Sequence, residues 1–121
     1  MKRDVDLARA ILFAIEKEQK TPAKSFRVNI PGYSPEEVMH HVMLLAAARF
    51  IEAADHSREH NPDWRPTGLT RQGQKFLDAA RSDEIWQQAK VTTLKEARGL
   101  SLYLLKEALD SMDGQASEKS E

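Results

Sequence analysis

The chain has 121 residues, a net charge of −1 at neutral pH, 40% hydrophobic residues and no cysteine. This length and composition are typical of one globular domain with a single hydrophobic core, and they exclude a disulfide framework and a thiolate zinc site. Because no segment has the apolar run of a signal peptide or a membrane span, a soluble, cytoplasmic protein is expected.

The first predicted element is a helix from Asp4, a suitable N-cap, to about Glu18. Its apolar residues recur at the helical spacing, and the predicted buried stripe is Leu7, Ala10, Ile11, Ala14 and Ile15. Residues 25–30 follow as a predicted strand, because apolar and polar residues alternate there before the turn sequence Pro31-Gly32.

The clearest local signal in the chain is the sequence Ser34-Pro35-Glu36-Glu37. Serine at the N-cap, proline at the first helical position and glutamate at the third form a capping box. The helix that begins here is expected to end near Ala48 and to bury Val38, Val42, Leu45 and Ala46.

A β-hairpin is predicted next, with strands over residues 50–55 and 64–69 and a long, charged tip between them. Pro66 restricts the return strand to an edge or a bulge, because proline has no N–H to donate to the ladder. Within and beside the tip, the acidic residues Glu59 and Asp63 offset the charges of Arg58 and Arg65.

Three further helices are predicted after the hairpin. Thr70 caps a helix that ends near Ala80, Ser82 caps the next, and Ser101 caps the last. The last helix is apolar on more than one side, so it either packs within the domain or pairs with a second copy of the chain.

The predicted fold class is therefore mainly α with a small antiparallel sheet. The element order favours a winged-helix-like core with extra C-terminal helices. Only residues 19–33 separate the first two predicted helices, so whether the second helix of a helix-turn-helix is present stays open. The predicted organisation is a core over 1–81, C-terminal helices over 82–112 that pack on the core or form a dimer contact, and a disordered tail over 113–121.

Three blocks of the sequence resemble the DUF2513 family, a group of small proteins from bacteria and their phages or prophages. They are Met1-Lys2-Arg3-Asp4-Val5-Asp6-Leu7, Gly32-Tyr33-Ser34-Pro35-Glu36-Glu37-Val38 and the run from Leu69 to Arg81, with Asp83-Glu84-Ile85-Trp86 after them. The resemblance covers roughly residues 1–110. It implies a phage-associated or prophage-associated protein but no activity, since the family has none assigned.

The sequence contains no motif that indicates catalysis, a cofactor or a metal. It has no nucleophile elbow, phosphate loop or dinucleotide fingerprint. The adjacent residues His40 and His41 diverge on a helix, and the spacing of His56 and His60 suits a ligand pair only if that segment is helical. A non-enzymatic protein without cofactor or metal is therefore expected.

The first functional hypothesis is a regulatory protein that binds double-stranded DNA, as a dimer, through the winged-helix scaffold. Residues 1–33 carry seven basic and four acidic residues, whereas residues 101–121 carry two basic and five acidic residues. The acidic start of the helix at 34–48 opposes an approach of that helix to phosphates. The candidate DNA contacts are Lys2, Arg3, Arg9, Arg27, His40, Arg58 and Arg65.

The alternative hypothesis is a protein-interaction module that uses the same scaffold without binding DNA, for example a phage accessory or anti-host factor that engages a host protein. Methionine and aromatic side chains are enriched in the cores of protein interfaces. The candidate partner surface is Met39, Met43, Tyr103 and Leu104.

Overall fold

A computed structural model describes residues 4–18 and 25–96, with side chains up to residue 91. This part of the chain is mainly helical with a two-stranded antiparallel sheet, which confirms the predicted fold class. In chain order the elements are α1 (Val5–Glu18), α2 (Pro35–Ala47), β1 (Ile51–Asp55), β2 (Trp64–Leu69), α3 (Arg71–Ala79) and α4 (Asp83–Glu96). No helix in this part of the chain is both long enough and apolar enough to cross a membrane.

The chain divides into two compact units, Met1–Gln74 and Lys75–Glu121, and the division falls within α3. In the first unit α1 packs against α2 and β2, and α2 also packs against both strands. The core of this unit consists of Val5, Leu7, Ala8, Ile11, Leu12, Ile15, Val38, Val42, Leu45, Phe50 and Ile51.

The buried face of α1 is rotated relative to the predicted stripe. Leu7, Ile11 and Ile15 are buried as predicted, but Ala10 and Ala14 are only half-buried. Val5, Ala8 and Leu12 are buried as well, so the apolar face is centred on their side of the helix, and the two half-buried alanines lie at its edge.

The predicted strand over residues 25–30 is wrong as an element, although the segment is extended. Arg27 and Asn29 are exposed while their neighbours are half-buried, which is the alternation that the sequence indicates. A backbone hydrogen bond joins this segment to β2, from the Phe26 N–H to the Pro66 carbonyl at 3.1 Å. The hydrogen bond that an antiparallel pair would return at this position is missing, because proline has no N–H.

Helix α2 has defined structures at both ends. At its start the Glu37 N–H donates to Ser34 Oγ at 3.1 Å and the Ser34 N–H donates to Glu37 Oε1 at 3.2 Å, which confirms the capping box. At its end Arg49 has a φ of +65°, and the Phe50 N–H donates to the Leu45 carbonyl at 3.0 Å. This is a Schellman motif with arginine at the position that glycine usually takes.

The hairpin contains a β-bulge beside Pro66. Glu52 pairs with Gly68 and Ala53 pairs with Pro66, so Thr67 is the extra residue of β2. The Thr67 hydroxyl donates to the Glu52 carbonyl at 3.1 Å. The prediction that Pro66 lies at an edge or a bulge is confirmed.

The start of α3 is held close to the beginning of the hairpin. Thr70 caps the helix by accepting the Gly73 N–H at 3.0 Å, and its own hydroxyl donates to the Arg49 carbonyl at 2.6 Å. A Cβ on Gly73 would lie 1.8 Å from the Phe50 carbonyl oxygen, so only glycine fits there. Glycine at this position therefore allows the two backbone segments to approach each other closely.

A buried histidine connects α1 to α2. His41 is 2% exposed; its Nε2 accepts the backbone N–H of Asp4 at 2.8 Å, and its Nδ1 lies 2.7 Å from the Glu37 carbonyl. Because the carbonyl can only accept, Nδ1 carries the proton.

The Asp4 carboxylate caps α1 through the Leu7 N–H at 3.1 Å and accepts from the Tyr33 hydroxyl at 3.2 Å. Burial, and then the charge of Asp4, raise the pKa of Tyr33 above its ordinary value, so the phenol stays a donor at neutral pH.

The second unit is described up to residue 96. Ser82 caps α4 by accepting the Ile85 N–H at 3.3 Å, as predicted. Phe76 and Trp86 are buried, and their rings meet edge to face with centroids 6.1 Å apart. The predicted helix that begins at Ser101 and the predicted tail over 113–121 lie outside the described residues.

We predict that His41→Phe lowers the free energy of unfolding by about 1–3 kcal/mol, because it removes the acceptor of the Asp4 N–H while filling a similar volume. Urea denaturation followed by circular dichroism measures this change. His40→Phe is the matched control, since the neighbouring imidazole has no hydrogen bond to any residue that the structure describes, and it should cost less than about 1 kcal/mol. Equal losses for the two variants would contradict a structural role for the His41 hydrogen bonds.

Candidate nucleic-acid interface at the hairpin

The tip of the hairpin is ordered by backbone hydrogen bonds beyond the ends of the two strands. The His56 N–H donates to the Asp63 carbonyl at 2.8 Å, and Arg58 and Asn61 exchange two bonds of 3.1 and 2.8 Å. Glu59 takes a φ of +50° in the turn between them. The predicted charged tip is thus a narrow extension of the hairpin, which holds its side chains at defined positions.

Three arginines meet at this tip in a surface cleft of about 480 Å³. We call it the arginine cleft, and its lining residues are Arg27, His56, Arg58, Asn61, Asp63 and Arg65. Arg27 comes from the extended segment before α2, and the others come from the hairpin. With three guanidinium groups and one carboxylate, the lining carries a net charge of +2 when His56 is neutral.

Asp63 is the central anion of the arginine cleft. Its Oδ2 accepts from Arg65 Nη2 at 2.9 Å and from Arg27 Nη2 at 3.3 Å, and its Oδ1 accepts from Arg65 Nε at 3.3 Å. The Arg65 fork therefore binds the carboxylate through two nitrogens. The Arg27 side chain is 71% exposed and touches Asp63 with one nitrogen only, so most of its guanidinium faces solvent.

These contacts lower the pKa of Asp63. The hydrogen bonds from Arg65, together with the charges of Arg65 and Arg27, hold the pKa of Asp63 below its ordinary value. The same pairing raises the pKa of Arg65 above its ordinary value. The carboxylate is ionised at neutral pH, as an aspartate of ordinary pKa also is, and it neutralises part of the basic lining.

Arg58 differs from the other two arginines of the cleft. Its backbone lies in the pair that closes the tip, and its side chain is exposed. Among the residues that the structure describes, no carboxylate forms an ion pair with Arg58, whereas Arg27 and Arg65 share Asp63. The offset of Arg65 by Asp63 is thus confirmed, and Glu59 forms no ion pair with a described residue.

A second groove, of about 420 Å³, lies between α2 and the tip. We call it the methionine groove, and it is lined by Pro35, Glu36, Met39, His40, Met43, Asn61 and Pro62. Met39 is anchored to the hairpin, because its sulfur accepts the Trp64 N–H at 3.2 Å, and Met43 is exposed. Asn61 lines both grooves, so they adjoin at the tip.

The candidate DNA contacts from the sequence do not form one surface. Arg27, Arg58 and Arg65 come together in the arginine cleft, whereas His40 lines the methionine groove. Arg9 lies on α1, where its guanidinium stacks 5.0 Å from the centre of the Phe13 ring. Lys2 and Arg3, and the candidate partner residues Tyr103 and Leu104, lie outside the described residues.

Sequence reasoning missed two residues of the cleft, His56 and Asn61, and the central position of Asp63. The position of His56 opposite Asp63 follows from the pairing of the hairpin. Asp55 pairs with Trp64, so one further step along the ladder places His56 opposite Asp63. In the described residues, no three histidine, aspartate or glutamate side chains lie in a position to share a metal ion.

Comparison with known proteins places most of the chain in one family. The sequence model of DUF2513, described as a hypothetical protein, matches residues 2–101. An uncharacterized protein of Haemophilus influenzae is 32% identical over 115 residues, which cover 95% of this chain and 98% of that protein. No solved structure matches the fold.

We predict that the Asp63 carboxyl titrates below its ordinary pKa of 3.8. A lowered pKa in the folded state means that the ion pairs stabilise the fold at neutral pH, and that this stabilisation is lost as the pH falls through the folded-state value. Carboxyl ¹³C NMR measures the titration directly.

The arginine variants provide the controls for this titration. Arg65→Gln should move the Asp63 midpoint up toward the ordinary value, and Arg27→Gln should move it less, because Arg27 contributes only one long contact. An ordinary midpoint in the unaltered protein would contradict the ion pairs described here.

Proposed function

Because the chain belongs to the DUF2513 family, whose description names no activity, we propose its function from the geometry of the hairpin: the arginine cleft binds the phosphate backbone of double-stranded DNA. The observation that carries the proposal is the convergence of Arg27, Arg58 and Arg65 from two chain segments on one cleft of net positive charge. Guanidinium forks suit phosphate oxygens in both charge and geometry.

The hairpin, and not a recognition helix, makes the contact in this proposal. The first turn of α2 carries Glu36 and Glu37, and Glu37 is occupied by the capping box. An exposed carboxylate at that end of the helix repels phosphates, whereas the exposed Arg58 at the tip attracts them. Binding through phosphates alone is independent of base sequence, so the expected interaction is a general affinity for duplex DNA.

The proposed scaffold follows from the winged-helix-like order of elements. The proposed biological role follows from the family resemblance. We propose a non-enzymatic regulatory protein of phage or prophage origin that acts in the cytoplasm. The hairpin corresponds to a wing. Across residues 25–34 the chain is extended or in a turn, so this described segment holds no second helix of a helix-turn-helix. A homodimer through residues 101–112 stays a prediction.

Fluorescence anisotropy with a mixed-sequence DNA duplex tests the proposal at about 50 and about 200 mM salt. If two or three phosphates are neutralised, the affinity should fall roughly 10- to 40-fold over this range, since the logarithmic slope is about −0.9 per phosphate. Arg58→Gln should reduce this slope by about 0.9. Arg71→Gln removes an exposed arginine of α3 outside the cleft and should leave the slope unchanged.

Two results would contradict the proposal. One is the absence of binding at low salt up to high micromolar protein, because a phosphate-binding surface has a non-specific affinity that is detectable there. The other is equal loss of affinity in the Arg58→Gln and Arg71→Gln variants, which would assign the effect to overall charge.

A second candidate function is supported by the methionine groove. Its lining includes Met39, Met43 and two prolines, and its charged lining residue is Glu36. Flexible thioether side chains adapt to apolar partners, and the carboxylate favours a partner segment that also carries a basic residue. This groove supports the alternative of a protein-interaction module, with a host protein as the partner.

Affinity capture with quantitative mass spectrometry tests this second function. A partner of the methionine groove should be recovered by the unaltered protein and by the Arg58→Glu variant, but lost with Met43→Glu, because the new charge would lie in an apolar contact. Met43 is exposed, so the substitution should not unfold the domain. Loss of a recovered protein in both variants, or in neither, would contradict binding in this groove.

A further inference from the structure

The arginine cleft already contains an anion at the position where two of its cations converge. The Asp63 carboxylate lies within 3.3 Å of nitrogens on both Arg27 and Arg65. The residue Asp63 is held in place, because its backbone N–H donates to Ser57 Oγ at 3.0 Å and its backbone carbonyl accepts the His56 N–H at 2.8 Å. The side chain is 22% exposed, so a ligand can reach it from solvent.

We propose that Asp63 is the specificity-determining residue of the arginine cleft, acting as a built-in competitor that a phosphate must displace from Arg27 and Arg65. The inference rests on the proposed binding of DNA phosphates. A carboxylate and a phosphate use the same guanidinium donors, so they compete for the same place. The competitor is covalently part of the hairpin and is therefore present at a high effective concentration.

The consequence is discrimination between ligands with few and with many phosphates. Arg58 has no described ion-pair partner and makes the first contact. Arg65, which binds Asp63 through two nitrogens, becomes available only when Asp63 gives it up, and Arg27 loses one contact at the same time. A single inorganic phosphate ion contacts one arginine and is repelled by the Asp63 carboxylate, which stays in place. A polyanion presents adjacent phosphates to all three arginines, so it can offset the loss of the internal ion pairs.

Asp63→Asn tests the inference, because it removes the charge while keeping an oxygen that accepts from Arg65. Asp55→Asn is the matched control: it removes one negative charge from the same hairpin, at a residue that binds the Ser57 N–H and no arginine. Anisotropy with the mixed-sequence duplex is measured for both variants and the unaltered protein across the same salt range. Thermal unfolding of each variant shows whether its fold is retained.

We expect Asp63→Asn to bind the duplex roughly 3- to 10-fold more tightly at about 50 mM salt, because no internal ion pair has to be broken before the arginines contact phosphates. Asp55→Asn should change the affinity less than about twofold, because it alters only the overall electrostatic potential of the hairpin. If Asp63→Asn fails to fold, Asp63→Ser replaces it. Inorganic phosphate, titrated by NMR, should shift the Arg65 Nε–H signal in Asp63→Asn but not in the unaltered protein.

Each outcome separates the inference from the proposed function. If the unaltered protein binds DNA and Asp63→Asn binds no more tightly than Asp55→Asn, the role of Asp63 is overturned while DNA binding stands. If only Asp63→Asn binds, the competition is supported and the unaltered protein is not a DNA-binding protein. If no variant binds DNA and none responds to phosphate, both proposals are overturned.

Discussion

The arginine cleft depends on one backbone hydrogen bond, from the Phe26 N–H to the Pro66 carbonyl. In an antiparallel arrangement the polar groups of one residue point to the same side, so the ring nitrogen of Pro66 faces this segment as well. Proline cannot return the hydrogen bond, so the described part of this segment lies extended beside β2 without forming a strand. The bond at Phe26 lies beside Arg27, the next residue, whose guanidinium contacts the Asp63 carboxylate of the hairpin.

The hairpin tip is the element that both proposed functions share. It contributes Arg58 and Asp63 to the arginine cleft, and its Pro62 closes the methionine groove against α2. The groove is held by the bond between the Trp64 N–H and the sulfur of Met39. A charged surface and an apolar surface thus lie next to each other. The charged surface is proposed to bind a polyanion, and the apolar surface is proposed to bind a protein partner.

Local chemistry explains which elements could be predicted and which could not. The capping box at Ser34 is an interaction between residues three apart, so its sequence pattern and its structure coincide. The end of the same helix carries no such pattern, because its Schellman motif places Arg49, not glycine, at a positive φ. The hydrogen bonds of the buried His41 were also missed, since its partner Asp4 is 37 residues away.

The sequence by itself determined the N-caps of the helices, the two strands, the place of Pro66 and part of the apolar core, because these follow from spacing and from the chemistry of neighbouring residues. It also identified the arginines at the hairpin as candidate contacts. Only the tertiary structure decided that Arg27 joins Arg58 and Arg65 while His40 and Arg9 lie elsewhere. The physical reason is that the cleft forms where two segments 36 residues apart meet, and their alignment depends on packing that no local pattern encodes.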